Sequence, residues 1–240
     1  METVLSIPSI LLWLLLLVVL TFRYIIVAGL PYLWLFVIGK NKYKTRKLQK
    51  EIPNKGQIVE EVKFSLLTIC IYSCGIWLFL YWLKHDYTRN YTDINEYGWA
   101  YFFLSIVVMI IMHDAYSYWT HRLIHHKILF KYVHALHHKF KNPTPWSAFA
   151  FHPLESLLTL GIIPIVMFII PWHHTALTIF ITLIIVYDTF IHLGYNFEQL
   201  KVFKWQNTPK DHDVHHRNSK YNFGLYFTYW DRLMGTYFKD

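Results

Sequence analysis

Long uncharged apolar segments constrain this chain more than any other feature of its sequence. Phe64–Leu83 is a run of twenty residues without a charged side chain, and a helix needs about 20 apolar residues to cross a bilayer. Tyr97–Met112 is a second such run, and it ends directly at His113 and Asp114. Charged residues make up only 16% of the chain, against about 25% in ordinary soluble domains. The sequence therefore predicts an all-α fold, a multi-pass membrane helical bundle.

Three further apolar segments do not fit a single upright span. Leu5–Ile38 is apolar apart from Arg23, and we expect either one long helix or one span followed by an interfacial segment. Ser156–Trp172 and Thr175–Tyr187 are short for a bilayer core of about 30 Å, because a helix rises only about 1.5 Å per residue. These two runs favour a tilted or re-entrant membrane hairpin over residues 154–190.

The basic residues indicate an orientation. Lys40–Lys50 contains six Lys and Arg residues, and loops rich in these residues remain in the cytoplasm. One span out and one span back place residues 121–138 on that same side, and the hairpin returns residues 212–216 to it. We therefore divide the chain into an N-terminal membrane part with the basic loop, residues 1–112, and a C-terminal domain that includes the hairpin, residues 113–240. The net charge of +8 lies beside apolar spans, so we expect no nucleic-acid partner.

Three histidine clusters lie in the C-terminal domain and hold nine of the fifteen histidines. They read HRLIHH from His121, HALHH from His134 and HDVHH from His212. Helix positions i, i+3 and i+4 share one face, so the members of each cluster are expected to point at one place. Imidazole ligates Zn, Fe, Cu and Ni. Eight convergent rings exceed the four that a tetrahedral ion needs, which indicates two metal ions. The eight rings are those of His121, His125, His134, His137, His138, His212, His215 and His216.

Metal-ligating histidines need a hydrogen-bond acceptor that fixes the orientation of the ring. Five carboxylates lie close enough in sequence to serve: Asp114, Glu155, Asp188, Asp211 and Asp213. Asp211 and Asp213 can equally well be interpreted as capping residues of the helix that carries His215.

Several classes of site can be set aside. The chain has no H-E-x-x-H zincin motif, no G-x-S-x-G elbow and no G-x-G-x-x-G loop. A bis-histidine haem protein would not need adjacent histidine doublets beside the membrane, and a metal transporter would place its ligands within the spans. A membrane zinc protein, either hydrolase or transporter, and a non-catalytic metal-binding membrane protein remain as alternatives.

Four sequence blocks between Asp114 and Tyr237 form a set. They read DAYSYWTHRLIHH, KYVHALHHKF, NPTPWSAFAFHPLE and HDVHHRNSKYNFG, the last followed by WDRLMGTY. The set resembles the membrane-bound fatty acid hydroxylase and sterol desaturase superfamily. The third and fourth blocks are most similar to its sterol C5-desaturase branch.

The resemblance implies a helical membrane bundle with a cytosolic histidine-rich cap that holds a di-metal site. It implies the eight histidines above and His192 as ligands. Asp188 occupies a position where some relatives carry a further histidine, so it is a ligand, a hydrogen-bond acceptor or neither. His152 lies in a family block but is not expected to bind metal. The remaining histidines are weaker candidates or bystanders: His85, His113, His126, His173 and His174.

The activity that the resemblance implies is that of a non-haem di-iron oxygenase. Such an enzyme hydroxylates or desaturates a lipid C–H bond, in a sterol or a fatty acyl chain, with O2 and external electrons. Zinc is a possible substitute for the two iron ions. The chain carries no flavin, nicotinamide or haem motif, so the electrons would come from a cytochrome b5-like protein or from a ferredoxin with its reductase. An ER membrane or a bacterial inner membrane would suit such a protein.

Overall fold

The computed structural model describes residues 7–239, and helices make up most of this part. The helices are α1 Ser9–Tyr32, α2 Lys55–Lys84, α3 Gly98–Ile124, α4 Lys127–Val133, α5 Pro153–Leu160, α6 Ile162–Ile169, α7 His174–Ile191, α8 Pro209–Arg217 and α9 Tyr229–Leu233. A π-helical turn, Leu33–Ile38, continues α1. Short 3₁₀ turns lie at Lys44–Arg46, Ile94–Glu96, His137–Lys139, Pro145–Phe149 and Glu198–Leu200.

Four helical segments between residues 7 and 239 are long and apolar enough to cross a membrane. They are Ser9–Ile38, Lys55–Lys84, Gly98–Ile124 and His174–Ile191. The two runs that the sequence marks most clearly, Phe64–Leu83 and Tyr97–Met112, lie within the second and third of these. Leu5–Ile38 forms one long helical element from Ser9, and its first two residues lie outside the described part. The prediction of a helical chain with several candidate spans is confirmed.

The hairpin has unequal arms. Its first arm is divided into α5 and α6 at Gly161, where a Cβ would lie 2.5 Å from Oη of Tyr116. Its second arm, α7, alone has the length of a span. The two arms meet at strand β2, Trp172–His173, which pairs in parallel with β1, Asn90–Tyr91, in the loop between α2 and α3. This pairing fixes the turn of the hairpin at the end of α3 opposite to the first histidine cluster.

The basic loop lies at the other end of the bundle. Lys47 forms an isolated antiparallel bridge with Tyr195, just after α7. The side chain of Gln49 donates to Oδ1 of Asp213 in α8 at 2.6 Å. The basic loop and the histidine-bearing helix α8 are therefore at the same end of the bundle.

The core combines apolar packing with short polar contacts. Phe79, Met109, Val166 and Phe180 belong to one buried cluster that joins α2, α3, α6 and α7. Between α2 and α5, the hydroxyls of Thr68 and Ser156 lie 2.9 Å apart, and those of Tyr72 and Thr159 lie 2.7 Å apart. Such hydroxyl contacts and small residues are typical of helices that pack inside a membrane.

A substitution at Gly75 of α2 tests how tightly α2 and α5 pack. A Cβ at this position would lie 2.2 Å from Cδ2 of Leu160, and overpacking of this kind typically costs about 1–3 kcal/mol. We expect Gly75→Val to lower the thermal unfolding midpoint of the detergent-purified protein, measured by tryptophan fluorescence. The matched control is Cys74→Val, at an exposed neighbouring position. Equal midpoints for the two variants would contradict the close approach.

Candidate metal centre

Nine histidine rings meet at the end of the bundle that carries the basic loop. They form two groups, and within each group the ligand nitrogens lie within 4.8 Å of one another. The larger group holds His121, His125, His134, His138 and His215, and the smaller group holds His137, His192, His212 and His216. The two groups are adjacent, since the ring centroids of His138 and His216 are 5.0 Å apart. The nine histidines that the sequence and the resemblance select are thus brought together.

The prediction that each H-x-x-H-H cluster points at one place is wrong. In α8, His212 and His216 belong to the smaller group, whereas His215 belongs to the larger one. Adjacent residues on a helix point about 100° apart because a turn holds 3.6 residues. The doublet His215–His216 therefore serves two neighbouring groups, while His212 and His216, four residues apart, stay together.

The second cluster divides in the same way, although it is not one regular helix. His134 follows the last residue of α4, and a 3₁₀ turn begins at His137. His134 and His138 join the larger group and His137 joins the smaller one. Both doublets, one in each H-x-x-H-H cluster, therefore connect the two groups.

Backbone carbonyls fix the orientation of three rings. His121 Nδ1 donates to the carbonyl of Phe223 at 2.9 Å, and His215 Nδ1 donates to that of Tyr221 at 2.6 Å. His192 Nδ1 donates to the carbonyl of Asp188 at 2.7 Å. A carbonyl oxygen only accepts, so Nδ1 carries the proton in each of these rings.

A buried carboxylate orients a fourth ring. His134 Nδ1 donates to Oε1 of Glu155 at 2.6 Å, and both side chains are almost inaccessible to solvent. Glu155 is one of the five carboxylates that the sequence nominates as acceptors. A carboxylate in this place also raises the basicity of the opposite ring nitrogen.

The rings of this centre are neutral. Burial, and after it the charges of neighbouring histidines, holds the pKa of His134 and of His215 well below the usual value. Burial likewise lowers the pKa of His192 to about 4. A neutral ring has one proton, and when that proton is on Nδ1 the lone pair is on Nε2.

The Nε2 atoms of neighbouring rings face one another at short range. The Nε2 atoms of His121 and His134 are 3.1 Å apart, and those of His192 and His212 are 3.0 Å apart. When Glu155 is a carboxylate, no proton is left between His121 and His134 to make a hydrogen bond, so the contact is repulsive unless a cation lies beside both nitrogens. Two nitrogens about 2.1 Å from one ion and at right angles are about 3.0 Å apart. The residues present therefore fit two metal ions, one per group, in an all-nitrogen environment that suits Fe, Zn, Cu or Ni.

The aspartates that were candidates beside the histidines have different surroundings. Asp188 lies nearest, with Oδ1 3.5 Å from Nδ1 of His192, but it belongs to neither group. Asp114 accepts from the backbone amides of Tyr226 and Phe227 at 3.0 and 3.1 Å.

The two aspartates of α8 bond away from the rings. Asp211 forms a capping box with Thr208 at the start of the helix, as the capping interpretation predicts. Asp213 accepts from Gln49 and from Nε of Arg217.

The other histidines lie outside the two groups. His152 caps α5, and its Nδ1 accepts from the amide of Leu154 at 3.3 Å. His113 Nδ1 lies 2.9 Å from the hydroxyl of Tyr226. His126 is exposed at the start of α4. The remaining three, His85, His173 and His174, are at the opposite end of the bundle, near the β1–β2 pair.

Sequence reasoning missed the segment that orients two of the rings. The carboxylate of Asp231 accepts from the amides of Phe223 and Gly224 at 2.9 and 2.8 Å. It thereby holds the stretch whose carbonyls orient His121 and His215. The only sequence signal for this role was the position of Asp231 in the WDRLMGTY block.

A largely apolar cavity of about 740 Å³ opens onto both groups. His121 and His134 of the larger group and His137 and His192 of the smaller one line it. The opposite end of the cavity is lined by residues next to the β1–β2 pair: Leu83, Thr92, Trp172 and His174. The cavity therefore extends from the histidines through the interior of the bundle.

The chain is similar to proteins of known family. The profile of the fatty acid hydroxylase family matches residues 106–236. A Delta(7)-sterol 5(6)-desaturase of Gibberella zeae is 30% identical over 90% of this chain and 65% of its own length. A lathosterol oxidase of Rattus norvegicus is 33% identical over 76% of this chain and 62% of its own length. The chain thus spans less than two thirds of these two relatives. No solved structure matches it.

Glu155 tests the orientation of the rings. Replacement by leucine, which has no acceptor, leaves the Nδ1–H of His134 without its partner, and loss of such a partner typically weakens metal binding about 10- to 100-fold. We expect this loss for Glu155→Leu, measured by competition with a chelator. Glu60→Leu, at an exposed partner of Lys139, is the matched control and should bind as the wild type does. An unchanged affinity in Glu155→Leu would show that His134 needs no such partner.

Proposed function

The chain belongs to the fatty acid hydroxylase family, and we propose that it is a membrane di-iron oxygenase that hydroxylates or desaturates a C–H bond of a lipid. The observation that carries the proposal is the opening of both histidine groups onto one apolar cavity inside the bundle. A cavity of about 740 Å³ lies within the range of about 300–1,000 Å³ that is usual for small-molecule sites. Its apolar walls match a lipid better than a polar metabolite.

Iron is the proposed metal in both groups. Bound there, two iron ions would supply the reduction of O2 and the oxidation of the lipid. Hydroxylation converts a C–H bond, O2, two electrons and two protons into an alcohol and water. Desaturation takes a hydrogen from each of two neighbouring carbons and releases two waters. The five nitrogens of the larger group exceed the four of an ordinary structural zinc site, which favours iron there, whereas the four nitrogens of the smaller group suit either metal.

The residues of the chain hold and shield the reaction. Glu155 and the carbonyls of Tyr221 and Phe223 keep the rings in place, so that the Nε2 lone pairs face the metal positions. Phe149 and Phe151 line the cavity and help to exclude water from it. Trp146 does not line the cavity and packs against Tyr24 of α1.

We propose the substrate class from the two relatives. The names of the two relatives describe sterol desaturation and lathosterol oxidation, and we propose for this chain a sterol or fatty acyl substrate drawn from the bilayer.

The electrons are proposed to come from a separate protein, a cytochrome b5-like protein or a ferredoxin with its reductase. Lys127, Lys131, Lys141, Lys201 and Lys204 are exposed around the histidine end of the bundle. They suit an acidic redox partner, although the positive-inside rule accounts for them equally well. By that rule, the contact between the basic loop and α8 supports a cytoplasmic location of the histidine groups. An ER or bacterial inner membrane is compatible with this arrangement.

The metal content of the purified protein tests the proposed di-iron centre. Protein purified from iron-replete cells is expected to hold about two iron ions per chain. His125→Ala should lose roughly one of them, because it removes a ligand from the larger group only. His126→Ala changes the adjacent exposed histidine and should retain both. A single zinc ion in the wild-type protein, without oxygen consumption, would instead support a membrane zinc hydrolase or transporter.

Formation of an oxidised lipid tests the proposed oxygenase activity. We expect His137→Ala and His215→Ala, one from each group, to abolish formation of the oxidised lipid while leaving membrane insertion intact, because each removes one metal ligand. The measurement is lipid profiling by mass spectrometry of cells that express each variant, with His126→Ala as the control. Activity retained in both variants would remove the two groups from the reaction.

A further inference from the structure

We propose that Arg23 of α1 binds the polar, oxygen-bearing end of the lipid in the cavity. The inference deepens the proposed function and rests on it for the identity of the lipid. The chemistry is that of a guanidinium donating to an acceptor oxygen, either the carboxylate of a fatty acid or the hydroxyl of a sterol.

Arg23 lies in the middle of a membrane span. It is the one charged residue of Leu5–Ile38, and it is 14 residues from Ser9 and 15 residues from Ile38, the two ends of the helical segment. At about 1.5 Å per residue, each end is about 21 Å away, far beyond the reach of its side chain. Placing an ionisable residue at such a depth costs free energy, and such a residue usually has a functional role.

The side chain of Arg23 has no partner within residues 7–239. It makes no hydrogen bond, ion pair or ring contact there. The carboxylate of Glu155, which lines the same cavity, bonds to His134, and that of Asp188 lies beside His192. A guanidinium has five N–H donors and no acceptor, so its missing partner must be an acceptor.

The acceptor would lie in the cavity, because Arg23 is part of the cavity wall. Arg23 and Leu20, one helical turn apart, both line the cavity. Two hydroxyls on its wall are already bonded: that of Thr159 contacts that of Tyr72, and Thr120 donates to the carbonyl of Tyr116. At the histidine end of the wall, Oε2 of Glu155 and Nδ1 of His137 and of His212 have no partner among the described residues. Arg23 is therefore a source of unused donors inside an otherwise apolar space.

A lipid held at Arg23 would have a fixed position relative to the metal groups. The same cavity is lined by Arg23 and by His134 and His137, one from each group. Binding of the polar end at a fixed point sets which carbon of the lipid comes to the histidines. Arg23 is thus proposed as a residue that determines specificity, through binding and not through chemistry on the reacting carbon.

Binding without turnover tests this proposal. The probes are a radiolabelled long-chain fatty acid and a radiolabelled Δ7-sterol, each titrated against the purified protein in nanodiscs. Arg23→Met, which has no donors, should bind one of them about tenfold more weakly or worse, since hydrogen bonds to a charged group are among the stronger ones. Phe22→Met, at the neighbouring lipid-exposed position, is the matched control and should leave both affinities unchanged.

Two further variants separate the sources of the acceptor. If the partner is a carboxylate, Arg23→Lys retains fatty acid binding and Arg23→Gln loses it. If the partner is a sterol hydroxyl, Arg23→Gln retains sterol binding because an amide still donates. Unchanged affinity of Arg23→Met for both probes overturns the proposal, as does failure of the wild-type protein to bind either one.

The test is independent of the oxygenase activity. Weak binding in Arg23→Met, together with a wild-type protein that oxidises no lipid, would support Arg23 and refute the proposed function. Active wild-type protein, together with normal binding and the same product position in Arg23→Met, would refute Arg23 and support the function. Unfolding midpoints of all variants establish that they are folded, and Arg23→Leu, which also has no donors, stands in for Arg23→Met if the latter is not.

Discussion

Lone pairs that face one another are the interaction on which the histidine end of the bundle depends. Buried neutral rings with their protons fixed on Nδ1 leave Nε2 atoms about 3 Å apart, as between His121 and His134. Such contacts repel without a cation, and the surrounding bonds prevent the rings from turning away. Metal binding and folding are therefore coupled here, because ions would remove a repulsion that packing has built in.

Periodicity explains how much of the site could be predicted. The pairs four residues apart, such as His121 with His125 and His212 with His216, share a group because they share a helix face. The division of each doublet follows from the same geometry but was missed, since spacing alone does not say how many centres a face serves. His192 has no periodic partner, so only the family resemblance selected it. The carbonyls of Tyr221 and Phe223 have no side-chain signature at all.

Hydropathy predicted the membrane-spanning helices, which also depend on local sequence. The runs at Phe64–Leu83 and Tyr97–Met112 are local properties of the sequence, and the helices contain them. The cavity is not local, because its wall combines α1, α2, α3, α5, α6 and α7. Nor is the close contact between Gly161 and Tyr116 of another helix a local property. Contacts between distant segments are what a single sequence leaves undetermined.

The carboxylate of Asp231 has a consequence for the order of assembly. It holds the amides of Phe223 and Gly224, and the carbonyls nearby orient His121 and His215. All nine histidines precede Asp231 in the chain. During synthesis a nascent polypeptide thus has every metal-binding ring before it has the residue that aligns two of them. The larger group would complete its geometry only after α9 emerges from the ribosome, so binding of any metal ion there would be a late step in biogenesis.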